Sequence, residues 1–246
     1  MIPLYRWMQW VKKSLQMVKE KDMTYVMSDI HGNEKRFNDI MKQIKLKPDD
    51  TLYILGDVID RGEGGIRILR KVMASENIKM ILGNHEYMML NALYRANPFG
   101  HEKAMRLWYH NGGNVTHYYL KHYRLTVRDE IFEYLNSLPI NIEIEVSGEQ
   151  YILVHAAIQE NYRLHKASYD DSVEYAVWSR RSEYDPVPEG KIMIFGHTPT
   201  SNYQADIPMR IWYGDRRIGI DCGCAYGKHG ALACIRLDDI KVFYSE

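Results

Sequence analysis

Short apolar runs and amphipathic stretches alternate along the first third of the chain. The runs at 23–29, 51–57 and 78–84 are typical of buried β-strands, and apolar residues recur at helical spacing over 34–46 and 64–75. Strands that are separated by single helices at this spacing form parallel β-α-β units. The pattern therefore predicts a βαβαβ arrangement with parallel strands.

The pattern changes after this unit. Residues 85–137 are mostly helical in pattern and rich in tyrosine and histidine, with a break at 110–115. Seven strand-like runs follow Pro139, and the first of them, INIEIEV, alternates as a half-buried antiparallel strand does. The sequence has no internal repeat and no linker rich in Pro, Gly or Ser, so we predict a single α/β domain over 23–246.

Residues 1–22 precede the predicted domain. Their apolar side chains recur at helical spacing, which predicts an appended amphipathic helix that packs on the domain. A membrane-surface helix and a dimer contact are the alternatives, because four lysines lie among these residues. The scattered charges differ from those of a signal peptide, and no apolar run is long enough to cross a membrane.

Composition narrows the range of partners. The 32 basic and 32 acidic residues give no net charge, which argues against nucleic acid as the main partner. The three cysteines, Cys222, Cys224 and Cys234, suit neither a disulfide framework nor a CxxC zinc pair. We therefore expect a cytoplasmic protein without an integral membrane segment. The sequence leaves the oligomeric state open.

Polar side chains follow five of the apolar runs, in SDIHGN, GDVIDRG, GNHE, HAAI and GHT. The ligand crevice of an open α/β sheet lies at the carboxyl ends of its strands, so these side chains are expected to meet at one rim. Carboxylate, imidazole and amide oxygen ligands suit manganese, iron or zinc. Each motif alone has a simpler explanation, such as a helix N-cap at Asp60 or a structural histidine. Their combination favours a metal site.

A pair of cations would give such a site a defined chemistry. A carboxylate bridges two cations through its two oxygens, and paired cations stabilise both the attacking and the leaving oxygen of a displacement at phosphorus. An arginine near the metals would bind phosphate oxygens. The metalloprotease pattern HExxH is absent, because Met89 stands where the second histidine would be. Glu86 is expected to stabilise the start of the following helix.

The five motifs, in this order, resemble the motif series of calcineurin-like metallophosphoesterases. They are most similar to the phosphoprotein phosphatase branch, which contains Ser/Thr protein phosphatases and symmetrical diadenosine tetraphosphatases. The similarity spans about 24–226, and IDCGCAYG and WYHNGGNVT also resemble segments of that branch, the latter in bacterial members. The resemblance implies a sandwich of two mixed β-sheets flanked by helices, with the helical segment near 85–137.

The resemblance also implies two divalent metal ions, manganese in the first place, with iron or zinc as alternatives. The implied ligands are Asp29, His31 and Asp57 for one ion, and Asp57, Asn84, His155 and His197 for the other. In this family a hydroxide that bridges the two metals attacks phosphorus directly, without a phosphoenzyme.

The remaining implied roles concern the leaving group and the phosphate. His85 would be the general acid that protonates the leaving group, and Asp60 would orient it. Arg61 would bind the phosphate, together with a second arginine from VWSRR, for which we choose Arg180 over Arg181.

Several functions remain open at this point. We expect hydrolysis of phosphate monoesters, with phosphoserine or phosphothreonine of proteins as the preferred substrate. A symmetrical dinucleoside tetraphosphate or another small phosphate ester is the alternative. A non-catalytic binding protein would have lost at least one ligand position, and none is lost. A nuclease would share the metal site, but the neutral charge and the GDVIDRG form of the second motif count against it.

Overall fold

The computed structural model describes residues 22–95 and 100–246. The strands, in chain order, are β1 Thr24–Met27, β2 Thr51–Ile54, β3 Ile78–Met80, β4 Asn141–Val146, β5 Glu149–Val154, β6 Lys191–Phe195, β7 Trp212–Gly214, β8 Arg217–Gly219, β9 Leu232–Arg236 and β10 Lys241–Ser245. The α-helices are α1 Glu34–Ile44, α2 Gly65–Met73, α3 Asn84–Leu93, α4 His101–His110, α5 Gly113–Leu120, α6 Leu125–Asn136 and α7 Ser172–Trp178. The helix predicted within 1–22 falls outside the described residues, apart from Asp22, and stays a prediction.

The strands form two five-stranded mixed sheets. The first sheet has the order β10-β9-β1-β2-β3, and the second has the order β4-β5-β6-β8-β7. In the first sheet β1, β2 and β3 are parallel, and in the second β5, β6 and β8 are parallel. The predicted βαβαβ unit and the predicted sandwich of two mixed sheets are therefore confirmed.

Strand alternation decides which side chains enter each core. Val26 of β1 faces the second sheet, where it packs with Leu153 and Ile194, whereas its neighbour Met27 faces the helices. Residues on β5 alternate in the same way, because Ile152 packs in a third cluster on the outer face of the second sheet. Apolar residues thus fill the space between the sheets and both outer faces.

Helices cover the outer face of the first sheet. Along α1 the buried apolar residues Phe37, Ile40 and Ile44 recur every three or four positions, and Asn33 caps the helix through its side chain. The described residues of the segment 85–137 are mostly helical, as predicted, and belong to α3, α4, α5 and α6. None of the helices in the described ranges combines the length and apolar character needed to cross a bilayer.

The parallel strands of both sheets end at one edge of the sandwich. Met27 and Ile54 are the last residues of β1 and β2, and Val154 and Phe195 are the last residues of β5 and β6. All five polar motifs begin within three residues of a strand end, and hydrogen bonds from His155 to Leu55 and from His197 to Asp29 join the two sheets there. The edge where the parallel strands end is therefore the place to look for chemistry.

Candidate metal centre and catalytic cleft

The turns that follow the strands adopt an unusual backbone conformation. Eleven non-glycine residues of the described ranges have a positive φ, and six of them carry candidate functional side chains: Asp29, His31, Asp57, Asp60, Arg61 and His197. This left-handed conformation is unfavourable for residues with a β-carbon, and such strain is concentrated at functional sites in proteins. The fold therefore holds these turns in place against their local preference.

Asp57 lies at the centre of the buried cluster. Its Oδ2 lies 3.7 Å from His31 Nε2 and 3.8 Å from His85 Nε2. Its other oxygen, Oδ1, lies 3.5 Å from His155 Nε2. The two carboxylate oxygens therefore face two different groups of nitrogen donors, which is the arrangement that a bridging ligand requires.

A second group of donors surrounds the amide oxygen of Asn84. Asn84 Oδ1 lies 2.9 Å from His155 Nε2 and 2.9 Å from His197 Nδ1. Asp57, His155 and His197 each offer a ligand atom within 4.8 Å of the others, and so do His31, Asp57 and His85. Asp29 lies beside the latter group, with Oδ1 3.9 Å from His31 Nε2.

Hydrogen bonds from neighbouring backbone and side-chain groups orient these ligand atoms. His155 Nδ1 lies 2.6 Å from the carbonyl oxygen of Leu55. Because a carbonyl oxygen only accepts hydrogen bonds, Nδ1 carries the proton of the ring. Nε2 is then unprotonated and can serve as a metal ligand. Asp29 Oδ2 accepts hydrogen bonds from Ser28 Oγ at 2.5 Å and from the backbone N–H of His197 at 3.0 Å. The donor atoms are thus positioned before any cation binds.

The electrostatics of the cluster favour a cation. Burial, followed by the charge of Asp57, raises the pKa of Asp29, and burial with the charge of Asp29 raises the pKa of Asp221 well above its usual value. Burial opposes ionisation of Asp57 too, but the surrounding histidines outweigh it and lower the pKa of that carboxyl. Burial lowers the pKa of His31 and His197 well below 6.5, so both are neutral. Neutral imidazoles beside buried carboxylates fit divalent cations, which would offset the negative charge.

His85 and Asp60 form a buried pair beside the cluster. His85 Nδ1 lies 2.7 Å from Asp60 Oδ2, and the two residues are 1% and 0% exposed. Burial opposes a positive charge on His85, but Asp57 and Asp60 outweigh it, so its pKa is raised above 6.5. The opposite ring nitrogen, Nε2, lies 3.2 Å from Arg61 Nη2, and Arg61 Nη1 lies 3.0 Å from His31 Nε2. Nδ1 of His85 is therefore held by the Asp60 carboxylate, and Nε2 of the same ring faces the cleft.

The cluster opens into a cleft of about 350 Å³ that also contains Arg61 and Arg180. Arg180 Nη1 donates to Thr198 Oγ1 at 3.4 Å, whereas Arg181 pairs through Nε with Asp185 at 3.3 Å. Of the two arginines in VWSRR, Arg180 is thus the one that lies at the cleft. The ten predicted site residues all lie in or directly beneath this cleft, although Asp29, Asp60 and His155 do not line it.

Glu86 has a different role from the one its position suggests. It lies in the first turn of α3, as expected, but its carboxylate accepts hydrogen bonds from the backbone N–H groups of Asp57, Val58 and Ile59 at 2.9, 2.9 and 3.2 Å. It therefore holds the turn that carries Asp57. Nothing in the sequence links these positions, which are nearly thirty residues apart.

Other residues of the cleft were not among the site residues predicted from the sequence. Trp178, Asn202 and Tyr226 line its rim, and Asp221 lies inside it, buried to all but 5%. Asp221 and Tyr226 belong to the segment IDCGCAYG, and its resemblance to a segment of known proteins was the sequence indication that they lie near the site. Their side chains surround the space that a bound phosphate ester would occupy outside the metal cluster.

Comparison with known proteins places this arrangement in a family. Residues 24–232 match the sequence profile described as calcineurin-like phosphoesterase. A symmetrical bis(5'-nucleosyl)-tetraphosphatase of Paracidovorax citrulli is 24% identical over 178 residues, which cover 71% of this chain and 57% of that protein. This chain thus spans little more than half the length of that relative.

Solved structures share the fold. A provisionally assigned diadenosine tetraphosphatase aligns with a TM-score of 0.60 and 16% identity, over 92% of this chain and 94% of that one. A protein serine/threonine phosphatase of Saccharomyces cerevisiae aligns with a TM-score of 0.53 and 14% identity, over 94% of this chain and 81% of that one. At these identities the likeness concerns the fold alone. The profile match covers most of the chain, and the chain belongs to the calcineurin-like phosphoesterase family.

Proposed function

We propose that this protein is a metal-dependent phosphoester hydrolase. The observation that carries the proposal is the convergence, in or directly beneath one cleft, of six candidate metal ligands, the His85–Asp60 pair and two arginines. Each of these groups has a role in phosphoryl transfer to water, and a binding protein would need only some of them.

The buried donors would hold two divalent cations. We assign Asp29, His31 and Asp57 to one cation, and Asp57, Asn84, His155 and His197 to the other, with Asp57 shared. The mixed oxygen and nitrogen donors, without a thiolate, are consistent with manganese, and iron or zinc would also be accepted. Such cations supply Lewis acidity, which polarises the phosphoryl group and acidifies water.

His85 satisfies the distances of a metal ligand, but its contacts indicate proton transfer. Its Nδ1 is held by Asp60 at 2.7 Å, which leaves Nε2 to face the cleft beside Arg61. An imidazole that is anchored on a carboxylate and has a raised pKa is suited to donate a proton to a leaving oxygen. We assign this role to His85.

The arginines would bind the phosphoryl oxygens. Both Arg61 and Arg180 line the cleft, and guanidinium groups bind phosphate oxygens through two parallel hydrogen bonds. They would orient the phosphoryl group and offset the charge that develops on its oxygens during the reaction. The leaving group would then lie next to His85.

For the substrate, we favour a symmetrical dinucleoside tetraphosphate over a phosphoprotein. Curated relatives with this activity match the chain, whereas the likeness to a Ser/Thr protein phosphatase is limited to the fold. Two aromatic side chains, Trp178 and Tyr226, stand at the rim of the cleft, where a nucleobase could stack. The expectation of a phosphoprotein substrate stays open as the second candidate and is decided by the assay below.

Metal removal tests the reaction. After chelation, we expect hydrolysis of p-nitrophenyl phosphate to disappear and to return on addition of Mn²⁺. His85→Asn should lower kcat by roughly 10²–10⁴-fold for esters with poor leaving groups, which is the usual contribution of general acid catalysis, while bound metal is retained. His122→Asn, at an exposed histidine, is the matched control. Metal-loaded protein that hydrolyses neither a phosphate ester nor diadenosine tetraphosphate would refute the proposal.

The substrate class requires a direct comparison. Diadenosine tetraphosphate and a phosphoserine peptide are assayed side by side with the same Mn²⁺-loaded protein, and kcat/KM is compared. We expect the dinucleotide to be turned over faster, with ADP as the product of symmetrical cleavage. Faster turnover of the peptide would instead support the phosphoprotein alternative.

A further inference from the structure

The segment WYHNGGNVT, at positions 108–116, has no role in the function proposed so far. It spans the end of α4, a short turn and the first half of α5. Its buried side chains, Trp108 and Thr116, are 0% and 2% exposed, as ordinary core residues would be. Their polar atoms, however, are directed at the turn that carries Asp60 and Arg61.

Trp108 shares one carboxylate oxygen with the proposed general acid. Its Nε1 donates to Asp60 Oδ2 at 2.9 Å, and His85 Nδ1 lies 2.7 Å from the same oxygen. The other oxygen, Asp60 Oδ1, is buried and has no hydrogen-bond partner among residues 22–95 and 100–246. The orientation of this fully buried carboxylate therefore depends on two donors, and Trp108 is the one that does not take part in proton transfer.

The same segment fixes the backbone of the turn. The N–H of Asp60 donates to Thr116 Oγ1 at 2.9 Å, and the N–H of Arg61 donates to the carbonyl of Gly112 at 3.3 Å. Asp60 and Arg61 have φ values of 69° and 65°, which are unfavourable for residues with a β-carbon. These hydrogen bonds compensate for part of that strain by satisfying the two N–H groups.

The two glycines permit the close approach. A β-carbon at position 113 would lie 2.3 Å from Trp108 Cδ1, and one at position 112 would lie 2.9 Å from Arg61 Cγ. Gly112 also has a φ of +95°, which glycine adopts without penalty. The NGG sequence is thus explained by the packing of the indole and of Arg61, and not by a flexible loop.

We propose that Trp108 is a positioning residue for proton transfer, and that Thr116 supports it through the backbone of Asp60. This inference rests on the proposed function, because it assumes that His85 donates a proton to the leaving group. The indole holds the carboxylate of Asp60, the carboxylate holds Nδ1–H of His85, and Nε2 is thereby aimed at the leaving oxygen. Loss of the indole N–H leaves the carboxylate with His85 as its one side-chain partner among the described residues.

The test compares esters that differ in their need for protonation. Trp108→Phe keeps an aromatic ring and removes the N–H donor. For phenyl phosphate, a poor leaving group, we expect kcat to fall about tenfold or more, in line with the loss of a hydrogen bond to a charged acceptor. For p-nitrophenyl phosphate we expect less than about threefold loss, since a good leaving group gains little from general acid catalysis. KM and bound manganese should stay the same.

Two variants separate positioning from general damage to the fold. Trp212→Phe, at a half-buried tryptophan on the second sheet, should leave the ratio of the two rates unchanged. Thr116→Val removes the acceptor of the Asp60 N–H with little change of volume and should shift the ratio in the same direction as Trp108→Phe. Thr116→Val also keeps the question answerable if Trp108→Phe does not fold.

The double variant distinguishes the two proposals. In a His85→Asn background, Trp108→Phe should cause no further loss for phenyl phosphate, because residues that act through one group are not additive. An equal loss for both esters, or a full additional loss in the double variant, would overturn the role of Trp108. If His85→Asn does not lower kcat for phenyl phosphate, the assignment of His85 as the general acid is wrong instead.

Discussion

Replacement of Glu86 by glutamine should loosen the turn that carries Asp57. In the structure the carboxylate is fully buried, and its Oε2 accepts from the N–H of Asp57, while Oε1 accepts from Val58 and Ile59. A glutamine keeps the size and one oxygen, so two of the three hydrogen bonds can be retained. Its amide NH₂ would then face the N–H of Asp57, and two donors would meet.

The magnitude follows from this geometry. One buried N–H loses its acceptor, which costs about 1–3 kcal/mol. A part of this loss is offset, because burial and the charge of Asp57 already disfavour the charged carboxylate and raise the pKa of Glu86 to about 7. We therefore expect a loss of about 1–2 kcal/mol in the free energy of unfolding. Metal affinity should fall by about 10–100-fold, as for other residues that support metal ligands.

Two measurements check this prediction. Urea denaturation of the metal-free protein at neutral pH gives the change in stability, and calorimetric titration with Mn²⁺ gives the change in affinity. Glu143→Gln is the matched control. Glu143 is exposed on the edge strand β4 and pairs with Lys191, so its replacement should change stability by less than about 0.5 kcal/mol. Wild-type stability and Mn²⁺ affinity in Glu86→Gln would refute the claim that this carboxylate holds the turn.

Two further predictions concern the cleft. Arg180→Ala should lower kcat/KM by about 10–100-fold, because a charged contact to the phosphate is lost. Arg181→Ala should lower kcat/KM by less than about threefold, because Arg181 pairs with Asp185. Equal losses in steady-state assays would contradict the assignment of Arg180. Burial and the nearby His85 hold the pKa of His31 well below 6.5. The stability due to its neutral form is therefore present above pH 6.5. It is lost as the pH falls, because the unfolded chain then binds a proton that the folded chain does not bind. His31→Gln should therefore reduce the decline in the unfolding free energy of the metal-free protein between pH 6.5 and 5.5 by about 1 kcal/mol, and an equal decline for the two proteins in urea denaturation would contradict this.

The order of strands and helices was predictable because periodicity reports burial directly. The ends of the strands were less predictable. The predicted runs extend to Asp29 and Asp57, whereas β1 and β2 end at Met27 and Ile54. The polar residues leave the sheet because their turns adopt positive φ values, which apolar periodicity does not encode. The motifs themselves were recognisable because each follows a strand directly.

Contacts between distant segments could not be read from the sequence. Trp108 and Asp60 are 48 positions apart, and only the packing of α4 on the turn after β2 brings them together. The choice between Arg180 and Arg181 also depends on where Asp185 lies in space. Such pairings require the fold, because neither partner differs in type or spacing from an ordinary core or surface residue.

The proposed ligands come from both sheets, and this division has a thermodynamic consequence. Asp29, Asp57 and Asn84 follow strands of the first sheet, whereas His155 and His197 follow strands of the second. A cation bound by both groups would join the two halves of the sandwich as a cross-link does. Each tenfold excess of metal over its Kd would then add about 1.4 kcal/mol to the stability of the docked sheets. Metal binding would thus depend on the correct assembly of the two sheets.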